Sequence, residues 1–157
     1  MTKDAPAAKT GAPGAGLEQF TPYLMNRIMA RYNKGVEAAL REVGISVVQM
    51  RALAALAEAG PHTVGELSVL TVVKQSTLSR TLDGMEAAGL IRREPGESDS
   101  RVRMITLTPE GEAAHRHAWP AMERMQATML ASLAPEERRQ FNTMLQRVLH
   151  SIRHHDY

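Results

Sequence analysis

The chain has 157 residues, enough for one domain with a buried core. Its 19 Lys and Arg against 17 Asp and Glu leave a formal net charge of +2, so a polyanion partner has to be read from where charges lie, not from their sum. The lack of cysteine excludes disulfides, thiolate metal sites, cysteine nucleophiles and thiol redox sensing, and no apolar run reaches the roughly 18 residues of a membrane span.

The first stretch, MTKDAPAAKTGAPGAG, has no sustained apolar segment of the secretory kind and reads as a disordered tail over residues 1–16 of a cytoplasmic protein. Residues 17–157 form the single domain. From Leu17 to Glu42, Phe20, Leu24, Ile28, Tyr32, Val36 and Leu40 recur near helical spacing, which predicts one long amphipathic helix ended by Gly44. Ser46 followed by Gln49 fits a capping box that opens a helix running to about Glu58, closed by Gly60-Pro61. Thr63 and Glu66 repeat the device for a short helix with Leu67 and Leu70 inward. A turn at Thr71 to Val73 leads to a further helix over roughly 74–88, with Gly89 as its C′ residue.

The period then changes. Leu90 to Glu94 and Arg103 to Leu107 read as two short strands around PGESDS, a β-hairpin pattern. Thr108-Pro109-Glu110 combines an N-cap, a proline at the first helical position and a first-turn acid. The helix it opens runs to about Leu133, with Pro120 predicting a kink or break near Trp119. Ala134-Pro135-Glu136-Glu137 starts the last helix, whose stripe is Phe141, Leu145, Val148 and Ile152. The fold class is thus mainly α with a small β-hairpin wing: a winged helix-turn-helix over residues 46–108, flanked by long helices over 17–42 and 109–153. Those flanking stripes exceed what one small unit can cover, so they are expected to pair two chains, the alternative being a helical cap within one chain.

In the helix KQSTLSRTLDGMEAAGL, Leu78, Leu82 and Met85 at i, i+4 and i+7 define the buried side. At about 100° per residue, Ser76, Arg80 and Asp83 lie opposite, flanked by Thr77 and Ser79, with Gln75 at the exposed start. Gln pairs with adenine, Arg with guanine, and Ser or Thr with bases or phosphates in a major groove. The tip carries Lys74 and Arg80 without an acid, but across Pro61 to Thr108 six Lys and Arg meet six Asp and Glu. An ordinary solvated face explains the helix alone equally well; the hairpin that follows it favours DNA.

The run Gly65-Glu66-Leu67, KQSTLSRTLDGMEAAGLIRRE, Asp99-Ser100-Arg101 and Ile105-Thr106-Leu107-Thr108-Pro109-Glu110-Gly111 closely resembles the MarR-type transcriptional regulators, most strongly from Ser46 to Gly111. The resemblance implies a non-enzymatic, homodimeric repressor on a palindromic operator of double-stranded DNA, released by a small aromatic or phenolic acid or its coenzyme A thioester. It implies that Gln75, Ser76, Thr77, Ser79 and Arg80 enter the major groove, and that Arg101 reaches toward the minor groove with Asp99 holding it. Lys74 at the helix start and Arg103 on the return strand complete the candidate DNA contacts. Ser98 and Ser100 depart from the commonest family wing but leave the Asp-x-Arg pair in place.

Tyr23, Arg27 and Arg31, at i, i+4 and i+8, form one stripe beside the apolar face of the first helix. A guanidinium beside a phenol at a domain junction suits a carboxylate ligand; a solvated flank or an intersubunit salt bridge reads the same residues. Met122, Met125, Met129 and Met144 shape adaptable pockets or serve as core and dimer seam. Trp119 lines a pocket or staples the kink at Pro120. His150 and His154, with His155 nearby, have metal-sharing spacing at an end where Asp156 supplies the carboxylate, which keeps a zinc-responsive regulator as an alternative. No cofactor is implied, and no phosphate loop, nucleophile elbow or metal triad points to an enzyme. A winged-helix module for protein assembly would instead present large apolar side chains from Gln75 onward.

Overall fold

The computed structural model describes residues 16–96 and 101–152; of the expected N-terminal tail only Gly16 falls among them. The described residues open with a 3-10 turn, Leu17–Gln19, and α1 runs over Thr21–Glu42. The single helix expected from residue 17 is therefore interrupted. Phe20 is extended (φ −87, ψ 102) and Pro22, which has no N–H to give upstream, sits in the first turn of α1. Gly44 follows the helix at φ 73, a left-handed position that favours glycine.

α2 (Val47–Ala59) and α3 (Val64–Thr71) both begin with the expected capping boxes. The Gln49 amide donates to Ser46 Oγ at 3.2 Å and the Ser46 amide to Gln49 Oε1 at 2.8 Å. At α3 the Glu66 amide donates to Thr63 Oγ1 at 3.2 Å and the Thr63 amide to Glu66 Oε2 at 2.8 Å. The bond from the Thr63 amide, reinforced by the Thr63 hydroxyl, holds the Glu66 carboxyl below its ordinary pKa. Leu67 is fully buried, but Leu70 is exposed, contrary to the sequence expectation. The inward position one turn after Leu67 is Thr71, at i+4, buried with its hydroxyl donated to the Leu67 carbonyl at 2.6 Å.

Val72 then takes the left-handed conformation (φ 55, ψ 45) and turns the chain into α4 (Gln75–Ala87). Gly89, at φ 73, ends that helix as expected. Strands β1 (Ile91–Pro95) and β2 (Arg103–Leu107) pair antiparallel from Ile91 opposite Leu107 to Pro95 opposite Arg103. A backbone bridge between His62 and Ile105 fastens the hairpin to the start of α3.

α5 (Pro109–Met129) is capped by Thr108, whose Oγ1 accepts from the Gly111 amide at 3.0 Å and donates to the Gly89 carbonyl at 2.6 Å. It passes through Pro120 without the break allowed for. A proline removes one intrahelical bond, and the flanking turns are held because Ala118 and Ala121 are buried against α1 and α2. The helix stops four residues short of Leu133, with Leu130 as C-cap. Ala134 belongs to the next start, its amide donating to Glu137 Oε2 at 2.7 Å ahead of α6 (Pro135–Ile152).

Two hydrophobic clusters meet at α2. One joins Ala52, Leu53 and Leu56 to Leu67, Leu78, Leu82, Met85, Ile91 and Ile105, the core of the winged unit. The other joins Met50 to Val36, Leu40, Ala118 and Ala121, holding α1 and α5. The stripe of α1 is buried only in its second half: Val36 and Leu40 are covered, Leu24 and Ile28 exposed. α6 buries no residue among those described and exposes Met144, Val148, Leu149 and Ile152.

Candidate nucleic-acid interface and effector groove

The inward face of α4 is sealed, with Leu78, Leu82 and Met85 each at 0% exposure. The opposite side presents Gln75, Ser76, Thr77 and Arg80, all exposed, with Ser79 half-buried and Lys74 as the N-cap residue. Lys74 makes no side-chain cap bond, so the start of α4 keeps its positive dipole end without a side-chain acceptor. Exposed amide and hydroxyl side chains with two cations suit phosphates and base edges.

The charge balance that blurred the sequence reading resolves into pairs. Arg93 on β1 donates through Nη2 to Asp83 at 2.7 Å, through Nη1 to Glu86, and through its amide to Glu86 Oε1 at 3.2 Å. Arg92 pairs with Glu94 at 2.8 Å, and Thr106 Oγ1 donates to the same carboxylate at 3.0 Å. Three acids are thereby engaged on the hairpin side of the unit, while among the described residues no ion pair forms to Lys74 or Arg80. The Arg93 pairs also fasten the hairpin to α4, a link between residues seven and ten positions apart that periodicity does not reveal.

Arg101 and Arg103 are exposed at the wing, and the hairpin closes through the Gly96 amide on the Val102 carbonyl at 2.9 Å. Asp99 lies outside the described residues, and with it the contact expected between Asp99 and Arg101.

On α1, Arg27 donates to the Tyr23 hydroxyl at 3.2 Å and its guanidinium lies 5.7 Å from the Tyr23 ring centre. Tyr23, Arg27 and Arg31 line an open groove of about 430 Å³ with Glu18, Leu24 and Ile28. A neighbouring groove of about 440 Å³ between α1 and α5 is lined by Ile28, Arg31, Tyr32, Gly35, Met125, Thr128 and Met129. Ile28 and Arg31 border both, so the stripe and the junction meet at these two residues. Trp119 is not brought to either groove; its Nε1 donates to Glu123 at 3.0 Å and its ring lies 5.2 Å from that of His115. Tyr32 keeps its place in the apolar stripe, packed against the second cluster, and also lines the groove, with its pKa pushed up by burial and partly offset by the charge of Arg51. Among the described residues no group of three His, Asp or Glu is placed to hold a metal; His154, His155 and Asp156 lie outside them.

The chain matches the MarR family model over residues 43–102. A MarR-family transcriptional regulator from Silicibacter pomeroyi is 42% identical, with a TM-score of 0.80 over 90% of this chain and 96% of that one. A second from the same organism is 30% identical, with a TM-score of 0.81 over 94% and 99%. The HTH-type transcriptional repressor Rv2887 of Mycobacterium tuberculosis is 28% identical over 135 residues, 85% of this chain and 97% of its own. A solved structure of that protein in complex with p-aminosalicylic acid has a TM-score of 0.69, at 27% identity over 81% of this chain and 96% of that one.

Proposed function

Since this chain belongs to the MarR family of DNA-binding transcriptional regulators, we propose that it is a cytoplasmic homodimer that represses transcription from a pseudo-palindromic operator and is released by a small aromatic acid or its coenzyme A thioester. Family membership makes it a regulator and not an enzyme. The observation that carries the operator reading is the split of α4 into a fully sealed apolar side and an outer side of Lys74, Gln75, Ser76, Thr77 and Arg80. A protein-assembly module would show large apolar groups there.

Dimerisation is supported by the exposed apolar halves of α1 and α6, Leu24, Met25 and Ile28 with Val148, Leu149 and Ile152. Faces of this kind on flanking helices are covered at low cost by a second copy. In that arrangement residues 46–108 are the reading unit, and residues 17–42 and 109–153 the dimerisation helices. The aromatic-acid reading draws on the relative crystallised with p-aminosalicylic acid and on the presence of Arg31 and Tyr32 in one groove with Ile28, Met125 and Met129. A guanidinium there takes the carboxylate and the apolar lining the ring.

Footprinting on the DNA upstream of its own gene, with aromatic acids titrated in, tests both halves. Expected is protection of two half-sites about 34 Å apart, steeply salt-dependent, with Arg101→Ala weakening binding about tenfold or more. Protection of no palindrome overturns the operator reading. Wild-type affinity of Arg101→Ala overturns the role given to the wing.

A further inference from the structure

We propose that Arg51, which belongs neither to the outer face of α4 nor to the lining of the two grooves, is a positioning residue that aims the recognition helix by bracing the turn at Val72 against α1. This rests on the DNA-binding reading and adds to it a residue that touches no DNA.

α3 ends where its helical path is cut at Val72, leaving late carbonyls that need partners. Arg51, half-buried on α2, donates through Nη1 to the Thr71 carbonyl at 3.2 Å. A cation at the carbonyl end of a helix is favourable both as a donor and against the dipole. Through Nη2 the same guanidinium donates to Asn33 Oδ1 on α1 at 3.3 Å. Asn33 is adjacent to Tyr32, which lines the groove between α1 and α5. One planar fork thus spans α1 and the last carbonyl of α3.

The turn it holds is strained. Val72 is the only non-glycine with positive φ among the described residues, and a β-branched side chain is poorly tolerated there. At 83% exposure its side chain contributes no packing that would keep it in place. The amide bonds from Val72 to Val69 and from Val73 to Ser68, the Thr71 hydroxyl on the Leu67 carbonyl and the packing of Val73 on the core hold this segment to α3 and the core, and Arg51 ties it to α1. Two residues later Lys74 stands at the N-cap position of α4, so a change at Val72 redirects Gln75, Ser76 and Arg80 together.

The test uses full-length protein and a duplex that the wild type selects from random-sequence DNA. Arg51→Met, with its helical circular dichroism retained, is expected to bind that duplex at least tenfold more weakly, with an unchanged slope of affinity against salt because no phosphate contact is lost. Adding Val72→Gly is expected to recover most of the loss, because glycine adopts the left-handed conformation without support. Arg51→Lys, which reaches one partner but not both, falls between. Hydrogen exchange at the Val72 and Val73 amides is expected to quicken at least tenfold in Arg51→Met while amides in α5 stay unchanged. Wild-type binding by Arg51→Met, a flattened salt slope, or no recovery in the double variant each overturns the proposal. Should the wild type select no sequence, the DNA reading falls, and the brace then stands or falls by the exchange rates, equal rates overturning it.

Discussion

Gly111 is the position at which one added methyl group is expected to do most damage. A Cβ there would sit 2.0 Å from the Leu90 carbonyl oxygen and 3.0 Å from Leu107 Cδ2. The leucine methyl can swing aside, but the carbonyl is backbone and accepts the Thr108 amide at 3.1 Å. Reaching an ordinary contact of 3.4 Å requires a movement of 1.4 Å (3.4 − 2.0). That exceeds what the bonds from Thr108 to Leu90 and from Thr108 to Gly89 can absorb. Overpacking costs about 1–3 kcal/mol and two lost hydrogen bonds about 2 kcal/mol, offset by about 1 kcal/mol of helix propensity. Gly111→Ala should therefore lose about 2–4 kcal/mol, a fall in Tm of roughly 5–15 °C for a chain of this size. Thermal unfolding by circular dichroism at matched protein concentration measures it. A Tm within about 2 °C of wild type would refute the close approach of α5 to the end of α4.

Gly84→Ala is the counterpart: nothing lies within 4 Å of its added Cβ inside α4, so stability should rise by about 1 kcal/mol of propensity, roughly 2–4 °C in Tm, and a fall would contradict the open space. Arg93→Ala leaves Asp83 and Glu86 without their shared cation. Because Asp83 is well exposed, the loss should be about 1–2 kcal/mol in a denaturant titration, and no change would mean the wing is not held by this ion pair. His115 has its pKa lowered by burial and by Arg116, so protonation favours the unfolded chain. Stability should decline as pH falls below about 6.5, and His115→Gln should flatten that decline. The fluorescence of Trp119, the one tryptophan of the chain, should be quenched over the same titration, since a protonated imidazole quenches indole; an unresponsive signal would separate the two rings.

What was legible in the sequence was local. Ser46 with Gln49 and Thr63 with Glu66 named their own hydrogen bonds, because a capping box lies within four residues. Gly89 marked the end of α4 through its backbone freedom, and the spacing of Leu78, Leu82 and Met85 separated the two faces of that helix. What stayed hidden depended on partners remote in the chain. The role of Arg51 requires Thr71 and Asn33, twenty and eighteen positions away, and Gly111 matters because of Leu90. Leu70 misled because a two-turn helix offers both i+3 and i+4 as inward positions, and the smaller Thr71 took the buried one. Trp119 drew attention by its size, yet its neighbours on α5 account for its contacts.

The double burial of α2 sets a limit on modularity. Its Ala52, Leu53 and Leu56 belong to the winged unit, whereas Met50 faces the helices that flank it. The seam between the winged unit and its flanking helices therefore runs along the length of one helix, and no loop separates them. A chimera that transplants residues 46–108 onto another regulator's flanking helices would carry half of an interface without its complement. Such grafts should succeed only when Val36, Leu40, Ala118 and Ala121 travel with the winged unit, so exchanges are better confined to the exposed residues of α4 than extended to the unit that bears them.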